Sequence, residues 1–373
     1  MKHELLIKMV EQFGLEVVKP LAKIVDEEEM FPVDTVKKMG QYGLLGIPFS
    51  TEFNGVGADT KAYIDTVRIL SKYCATTGVI LSAHTSLCAW PISNFGTDKQ
   101  KEKYLTKLNQ GTYLGAFGLT EPNAGTDAAG QQTRAIDMGD YYELTGSKIF
   151  ITNAGYADVY VVFAMTNPEL GLKGISAFIV EKDMEGFTVG PKEKKMGIHG
   201  SSTCELIFQK VKVPKENLLG TLNKGFKIAM MTLDGGRIGI AAQALGIAEG
   251  AFEKVVDYVK TRKQFGKPIS AFQNTQFKIA DMKTKLTAAK LLLDKAVDDK
   301  DSNRSYTESA AMAKLYCSRI AVEVCDDAMQ LMGGYGFIRD YEMERLYRDA
   351  KITEIYEGTS EVQRMVIAGK VLR

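Results

Sequence analysis

The chain has 373 residues, 45% apolar and 25% charged, with a formal net charge of +1. That length suits two or three domains or one large layered unit, and the balance is that of an ordinary soluble globular protein. The near-zero charge, with no basic run interleaved with aromatics and no apolar stretch near the ~20 residues that span a bilayer, gives no sign of a nucleic-acid or membrane partner, and neither is expected.

The opening Met1-Lys2-His3-Glu4 leads into a short mixed helix without a signal-peptide core. Residues 1–115 read as helices. Leu5, Met9, Phe13 and Val17 recur at four-residue spacing, which predicts a buried stripe. Phe31-Pro32 and Asn54-Gly55-Val56-Gly57 mark loops, and Ala62 to Cys74 is helical again. Residues 116–220 change character. Tyr160–Ala164 and Ile175–Val180 are short, glycine-bounded and rich in β-branched and aromatic residues, and the run 205–213 ends in polar–apolar alternation. Strands without intervening helices predict a central antiparallel β-domain. From residue 221 the helical period returns, and residues 221–373 predict a four-helix bundle. One long helix shows a face through Phe226, Ala229, Leu233, Arg237, Ala241, Ala244, Ala248 and Val255. Met282, Leu286, Ala289, Leu293 and Ala296 trace a second. Ser305-Tyr306-Thr307-Glu308 and Ser360-Glu361-Val362-Gln363 have the capping-box form and open a third and a fourth. The fold class is therefore α+β: helical, then β, then helical. Five scattered cysteines without a CxxC pair predict reduced thiols in a cytoplasm. Three widely spaced histidines argue against a histidine metal site.

Five stretches offer chemistry, and each has a plain structural alternative. Phe117 to Asp127 combines glycines that admit a ligand close to backbone with the hydroxyls of Thr120 and Thr126, or is a self-satisfied turn. Phe150 and Thr152, two apart on a strand, share a face that suits a planar ring, or are a core aromatic and a strand-end threonine. Asp234-Gly235-Gly236-Arg237 places two costly glycines inside a helix, so another helix or a ligand approaches there; Asp234 and Arg237 share a face. Arg262 to Lys267 is basic at a helix C-terminus, suited to phosphate or to the helix dipole. Tyr356-Glu357-Gly358-Thr359-Ser360-Glu361 holds a carboxylate, Glu357, on a glycine turn, as a base or as a solvated loop residue.

In this order the stretches GLTEPNAGTD, IFITNAG, LDGGRIGIAAQALGIA, RKQFGK, QLMGGYG and RDAKITEIYEGTSEVQR resemble the acyl-CoA dehydrogenase family of flavoproteins over nearly the whole chain, most closely the bacterial short-chain members. The resemblance implies FAD, a CH–CH oxidoreductase activity on butyryl-CoA-like substrates in either direction, an electron-transferring flavoprotein as partner, and a homotetramer. By position, Glu357 is similar to the base that removes the α-proton while a β-hydride passes to the flavin. Phe117, Leu119, Thr120, Phe150 and Thr152 are similar to flavin contacts, and Arg262, Phe265, Gln273, Gln330, Gly333 and Gly334 to contacts with the dinucleotide, some made across a subunit interface. Thr359 and Glu361 fall where the last helix meets the cofactor. Thr126, Asp234, Arg237, Tyr356 and Gly358 are similar to residues around the acyl-CoA, Thr126 also to a cofactor contact. Where branches of the family take their base from the long helix, this chain has Gly236, which leaves Glu357. The segment Leu81 to Leu87 resembles the wall that shortens the acyl pocket in short-chain members. The alternatives are an acyl-CoA oxidase on the same fold and a non-catalytic scaffold homologue.

Overall fold

Helices run from Lys2 to Gln110, strands from Gly115 to Leu219, and helices resume at Gly225. The computed structural model describes residues 2–372; Met1 and Arg373 lie outside the described residues. The N-terminal stripe differs from expectation. Val10, Phe13 and Val18 are the buried residues, while Leu5 is 61% exposed. The helix Lys2–Phe13 runs on into a π turn at Gly14–Val18. The wider turn admits an extra residue and moves the inward position from Val17 to Val18.

Eight strands form one sheet: β1 (Gly115–Gly118), β2 (Arg134–Asp137), β3 (Tyr141–Thr152), β4 (Val159–Met165), β5 (Ile175–Glu181), β6 (Phe187–Lys192), β7 (Thr203–Pro214) and β8 (Leu218–Leu219). Their order is β6-β7-β3-β2-β4-β5-β8, with β1 beside β4. Most pairs are antiparallel, as expected, but two are not. β1 runs parallel to β4 from Gly115 to Gly118, and β2 meets β4 in parallel at Arg134 and Met165. The β2–β3 excursion is the crossover that lets β4 return in the direction of β1.

The second bundle helix, Gln273–Asp301, buries Met282, Leu286, Ala289, Leu293 and Ala296, the five residues of its predicted face. The long helix Gly225–Thr261 departs from its expected single face, since every residue from Gly235 to Ala248 is buried. It is an axle, covered by the helix Thr60–Tyr73 on the N-terminal side and by Thr307–Met332 on the C-terminal side. The N-terminal helices and the bundle consequently share one apolar cluster. Neither expected capping box forms. The third helix starts at Thr307 behind Tyr306, with no side-chain cap from Ser305. The last helix, Ser360–Val371, is capped by Thr359, whose hydroxyl accepts from the Val362 N–H. Gln363 is thereby released for another task, described below.

Candidate active site

Glu357 lies on the connection between the helices Met343–Ile352 and Ser360–Val371. Glu357 and Gly358 both take left-handed backbone, with φ of +54° and +92°. Glycine adopts this region at no steric cost, whereas glutamate there needs outside support. Three side chains supply it. Gln363 Nε2 donates to the Gly358 carbonyl at 2.8 Å, and Lys314 Nζ donates to the same oxygen. The Tyr356 hydroxyl donates to Gln243 Oε1, and Gln243 Nε2 donates to the Ala75 carbonyl at 3.0 Å. The turn is thus tied to the long helix, to Thr307–Met332 and to the helix Ala75–Ser82.

The turn presses the carboxylate onto the long helix. A Cβ built on Gly236 would stand 2.0 Å from Glu357 Oε2 and 2.9 Å from Leu87 Cδ2. The glycine pair expected to admit a close neighbour does so at Gly236, and the neighbour is the carboxylate. Glu357 as a residue is only part-buried, but Oε2 is cut off from solvent and has no hydrogen-bond partner. Burial raises its carboxyl to about 7, against the opposing pull of Lys314 and Arg237. A carboxyl poised near neutral pH with a free oxygen has the properties of a general base.

Beyond Gly236 the face of the long helix is closely covered. Gly239 shares its face of the helix, and a Cβ there would meet Ser82 Oγ at 2.4 Å. Ser82 Oγ is buried without a partner, and the Tyr63 hydroxyl pairs with Ser86 Oγ at 2.8 Å. Leu81 to Leu87 is wholly buried, so these groups form a fixed wall. On the other side of Gly236, Arg237 Nη1 donates to Asp234 Oδ1 at 2.6 Å, and Asp234 Oδ2 accepts from Thr307 Oγ1 at 2.7 Å. Arg237 Nε is buried and unpartnered, leaving a donor for an incoming polar group.

The β-domain is tied to the helix that leads into this wall through Asn153, which donates to the carbonyls of Ile80 and Gly115, each at 3.2 Å. Immediately before it, β3 carries a bulge. Its register with β7 slips between Lys148 and Ile151, and Phe150 takes φ +61°. Simple alternation would have put Lys148, Phe150 and Thr152 on one face. Instead Lys148 is fully buried and Phe150 is 61% exposed, because the bulge resets the alternation. Thr152 is part-buried beside it, and Phe117 is part-buried against Phe163. Leu119 and Thr120 are clamped to the same strand. The Thr120 carbonyl accepts from Ile149 N–H at 2.9 Å, and the Leu119 carbonyl accepts from Lys148 Nζ at 3.1 Å. Thr126 lies on the exposed part of that loop.

Lys148 also donates to Glu121 at 2.7 Å and to Gln131 at 2.9 Å, while Glu121 accepts from the backbone of Gln132 and Thr133. Burial lowers the Lys148 ammonium to about 8. Burial likewise opposes ionisation of Glu121, but the ammonium and the N–H donors outweigh it and hold that carboxyl below its usual range. The pair is a strut under the Leu119–Thr120 loop. Lys148→Met, which strands the Glu121 charge, is expected to cost about 3–5 kcal/mol in denaturant unfolding; a loss below ~1 kcal/mol would show the strut to be dispensable.

The remaining residues stand apart. Arg262 follows the long helix, roughly 39 Å beyond Gly236 at the α-helical rise. There it lies over the Tyr335 ring at 5.2 Å and lines an open groove of about 510 Å³ with Gln330, Gly333 and Gly334. Phe265 beside it is 92% exposed, and Gln273 is exposed. Thr359 caps the last helix, and Glu361 is an exposed partner of Arg364 at 3.4 Å. One chain therefore sets Gly236, Arg237 and Glu357 together on the long helix and its neighbouring turn, sets Thr120 beside the Phe150–Thr152 end of β3, and leaves the groove of Arg262 and Gln330 far along the long helix from Gly236.

Models of the acyl-CoA dehydrogenase N-terminal, middle and C-terminal domains match residues 1–112, 116–211 and 223–372. The chain belongs to the acyl-CoA dehydrogenase family. It is 56% identical over 372 residues to the short-chain specific acyl-CoA dehydrogenase of Clostridium acetobutylicum, covering 100% of this chain and 98% of that protein. The solved butyryl-CoA dehydrogenase of Megasphaera elsdenii is 52% identical with a TM-score of 0.98, covering 100% of this chain and 98% of that one. A chain from a structure concerned with the electron transferring flavoprotein of Acidaminococcus fermentans and flavin-based electron bifurcation is 53% identical with a TM-score of 0.99, at the same coverage. In this acyl-CoA dehydrogenase, sequence reasoning missed Lys314, Gln243 and Tyr63, and assigned Gln363 to a cap instead of to the turn. Lys314 had a signal: it is a charge set among Ala310, Cys317 and Ala321 on the apolar side of its helix. Gln243 and Tyr63 are uncharged, and their tasks arise only from partners elsewhere in the chain.

Proposed function

We propose that this protein is an FAD-dependent dehydrogenase of short-chain, butyryl-CoA-like thioesters, forming the trans-2-enoyl-CoA or running the reverse, with Glu357 as the base. The observation that carries this reading is the Glu357 carboxylate: buried, unpartnered, raised to about 7, and lying on Gly236. Bound FAD supplies the acceptor for the β-hydride. The residues present fit such a group. Phe150 offers a bare aromatic face on strained backbone, Thr120 and Thr152 offer polar groups beside it, and the distant groove of Arg262, Gln330 and Gly333 suits a dinucleotide phosphate. Because that groove is too far away to serve the same cofactor in one chain, a second copy supplies it, which agrees with a homotetramer.

In the reaction, Glu357 takes the α-proton. Its own backbone N–H donates to the thioester carbonyl oxygen, where negative charge develops. Gly358 permits the turn that presents both groups, and Tyr356 holds it to Gln243. Arg237, fixed by Asp234, meets the CoA portion, with Thr126 at its outer end. Leu87 and Ser82 close the substrate site and exclude a long acyl tail, each surplus methylene costing ~1–3 kcal/mol. The short-chain relative in Clostridium acetobutylicum and the butyryl-CoA enzyme of Megasphaera elsdenii support the same substrate. An electron-transferring flavoprotein as redox partner is supported by the Acidaminococcus fermentans structure. Five buried free cysteines suit a reducing cytoplasm.

Anaerobic titration with saturated acyl-CoAs tests the reading. Flavin absorbance is expected to bleach, most readily at about four carbons, with selectivity of the size a methylene allows, and to recover slowly in air. Fast recovery in air would favour an oxidase, and a colourless purified protein would favour a scaffold.

A further inference from the structure

The turn that carries Glu357 stands on a lysine to which the reaction above gives no part. Lys314 is 0% exposed. Its Nζ donates to the Gly358 carbonyl, so its direct partner is an uncharged oxygen rather than a carboxylate. The other donor to that carbonyl is neutral, Gln363 Nε2 at 2.8 Å. Four titratable or charged groups face the Glu357 carboxylate: Lys314 from Thr307–Met332, Arg237 from the long helix, Tyr63 from Thr60–Tyr73, and Tyr356 from its own turn. Lys314 in turn faces Glu357, Arg237, Glu354 and Glu361. Arg237 is already bound to Asp234 at 2.6 Å. Among the described residues Lys314 is therefore the cation that acts most strongly on Glu357 without a carboxylate bonded to it.

We propose that Lys314 is the positioning residue of this site: its ammonium pins the Gly358 carbonyl, so that the left-handed turn holds the carboxylate on Gly236, and its charge keeps that carboxylate ionised for proton abstraction. The inference rests on Glu357 being the base. Two separable effects follow. Loss of the hydrogen bond loosens the turn, and a misplacement of ~1 Å costs up to ~100-fold in rate. Loss of the charge leaves burial less opposed, so the carboxyl takes up its proton at higher pH.

The test is the pH profile of kcat/KM in flavin-loaded enzyme with a short saturated acyl-CoA. Lys314→Met removes donor and charge, Lys314→Gln keeps a donor without charge, and Gln363→Leu removes only the neutral donor. The acid limb is expected to move up by about one pH unit in both Lys314 variants and to stay in place in Gln363→Leu. Plateau kcat is expected to fall ~10–100-fold in Lys314→Met and less in Lys314→Gln. Where Lys314→Met does not retain flavin, the limb of Lys314→Gln decides. An acid limb at its wild-type position in the flavin-loaded Lys314 variants overturns the proposal, because a lysine that only stabilises the fold alters the melting temperature and not the limb. Glu357→Gln separates the two readings. If it turns over normally, the base is misassigned; if it is inactive and the limb is unmoved by Lys314 substitution, only the positioning role fails.

Discussion

Replacing Glu357 with glutamine is expected to cut turnover by at least ~10³-fold, to leave flavin bound, and to make the fold more stable above pH 7. The first part follows from chemistry: an amide cannot take a proton, and Gly236 opposite offers no carboxylate in its place. The second follows because the turn is held by Lys314 and Gln363 through the Gly358 carbonyl, contacts the substitution leaves intact. The third follows from the raised carboxyl. Burial lifts it from 4.5 to about 7 in the folded protein, so the folded state holds its proton more tightly than the unfolded chain does. Stability therefore falls as pH climbs from 4.5 to 7 and stays lowered above that, by about 3 kcal/mol. Glutamine carries no such penalty. Melting temperatures of the two proteins are expected to agree near pH 4.5 and to diverge in favour of the variant by pH 8. A variant that is less stable at pH 8 than at pH 4.5, relative to wild type, would mean that the carboxylate is solvated or paired.

Gly236→Ala is expected to lower kcat by ~10²-fold, whereas Gly235→Ala, one residue away, leaves it near wild type. The contrast comes from what each methyl meets. At Gly236 it would stand 2.0 Å from Glu357 Oε2, 3.1 Å from Cδ and 2.9 Å from Leu87 Cδ2. Something must move, and the carboxylate is the more mobile. At Gly235 the nearest atom is Lys300 Nζ at 3.4 Å, the end of a flexible chain. There alanine also gains helix propensity, roughly 1 kcal/mol. The same geometry makes Gly236 a workable origin for a base. Gly236→Glu combined with Glu357→Gly is expected to recover part of the activity that Glu357→Gly alone loses. Steady-state kinetics on these variants settles both points, and equal losses at Gly235 and Gly236 would remove the argument from contact.

The order of helical, β and helical regions was legible because periodicity is local. The stripe from Met282 to Ala296 needs only its own helix to be seen, and it is buried throughout. Candidate flavin, CoA and base positions were legible as motif resemblance, and Glu357 was singled out in that way. Periodicity failed wherever an irregular turn changed the count: the π turn before Val18, and the bulge that turns Phe150 outward. Both caps were misplaced by local pattern alone. At the last helix Thr359 does the capping, while Gln363 bonds to the loop behind it.

The sequence by itself determined which residue types exist for the chemistry: a carboxylate on a glycine turn, glycines inside a helix, and an Asp–Arg pair one turn apart. Those are properties of neighbours in the chain, where spacing dictates geometry. Only the tertiary structure decided what the carboxylate rests on. The contacts of Glu357 with Gly236, of Gly358 with Lys314, and of Tyr356 with Gln243 join residues far apart in the chain. Burial, and with it the carboxyl's proton affinity, is the sum of such contacts. No local pattern encodes a dielectric environment: the sequence marks Lys314 as a charge on an apolar helix face, and only the packed helices show that it reaches the Gly358 carbonyl.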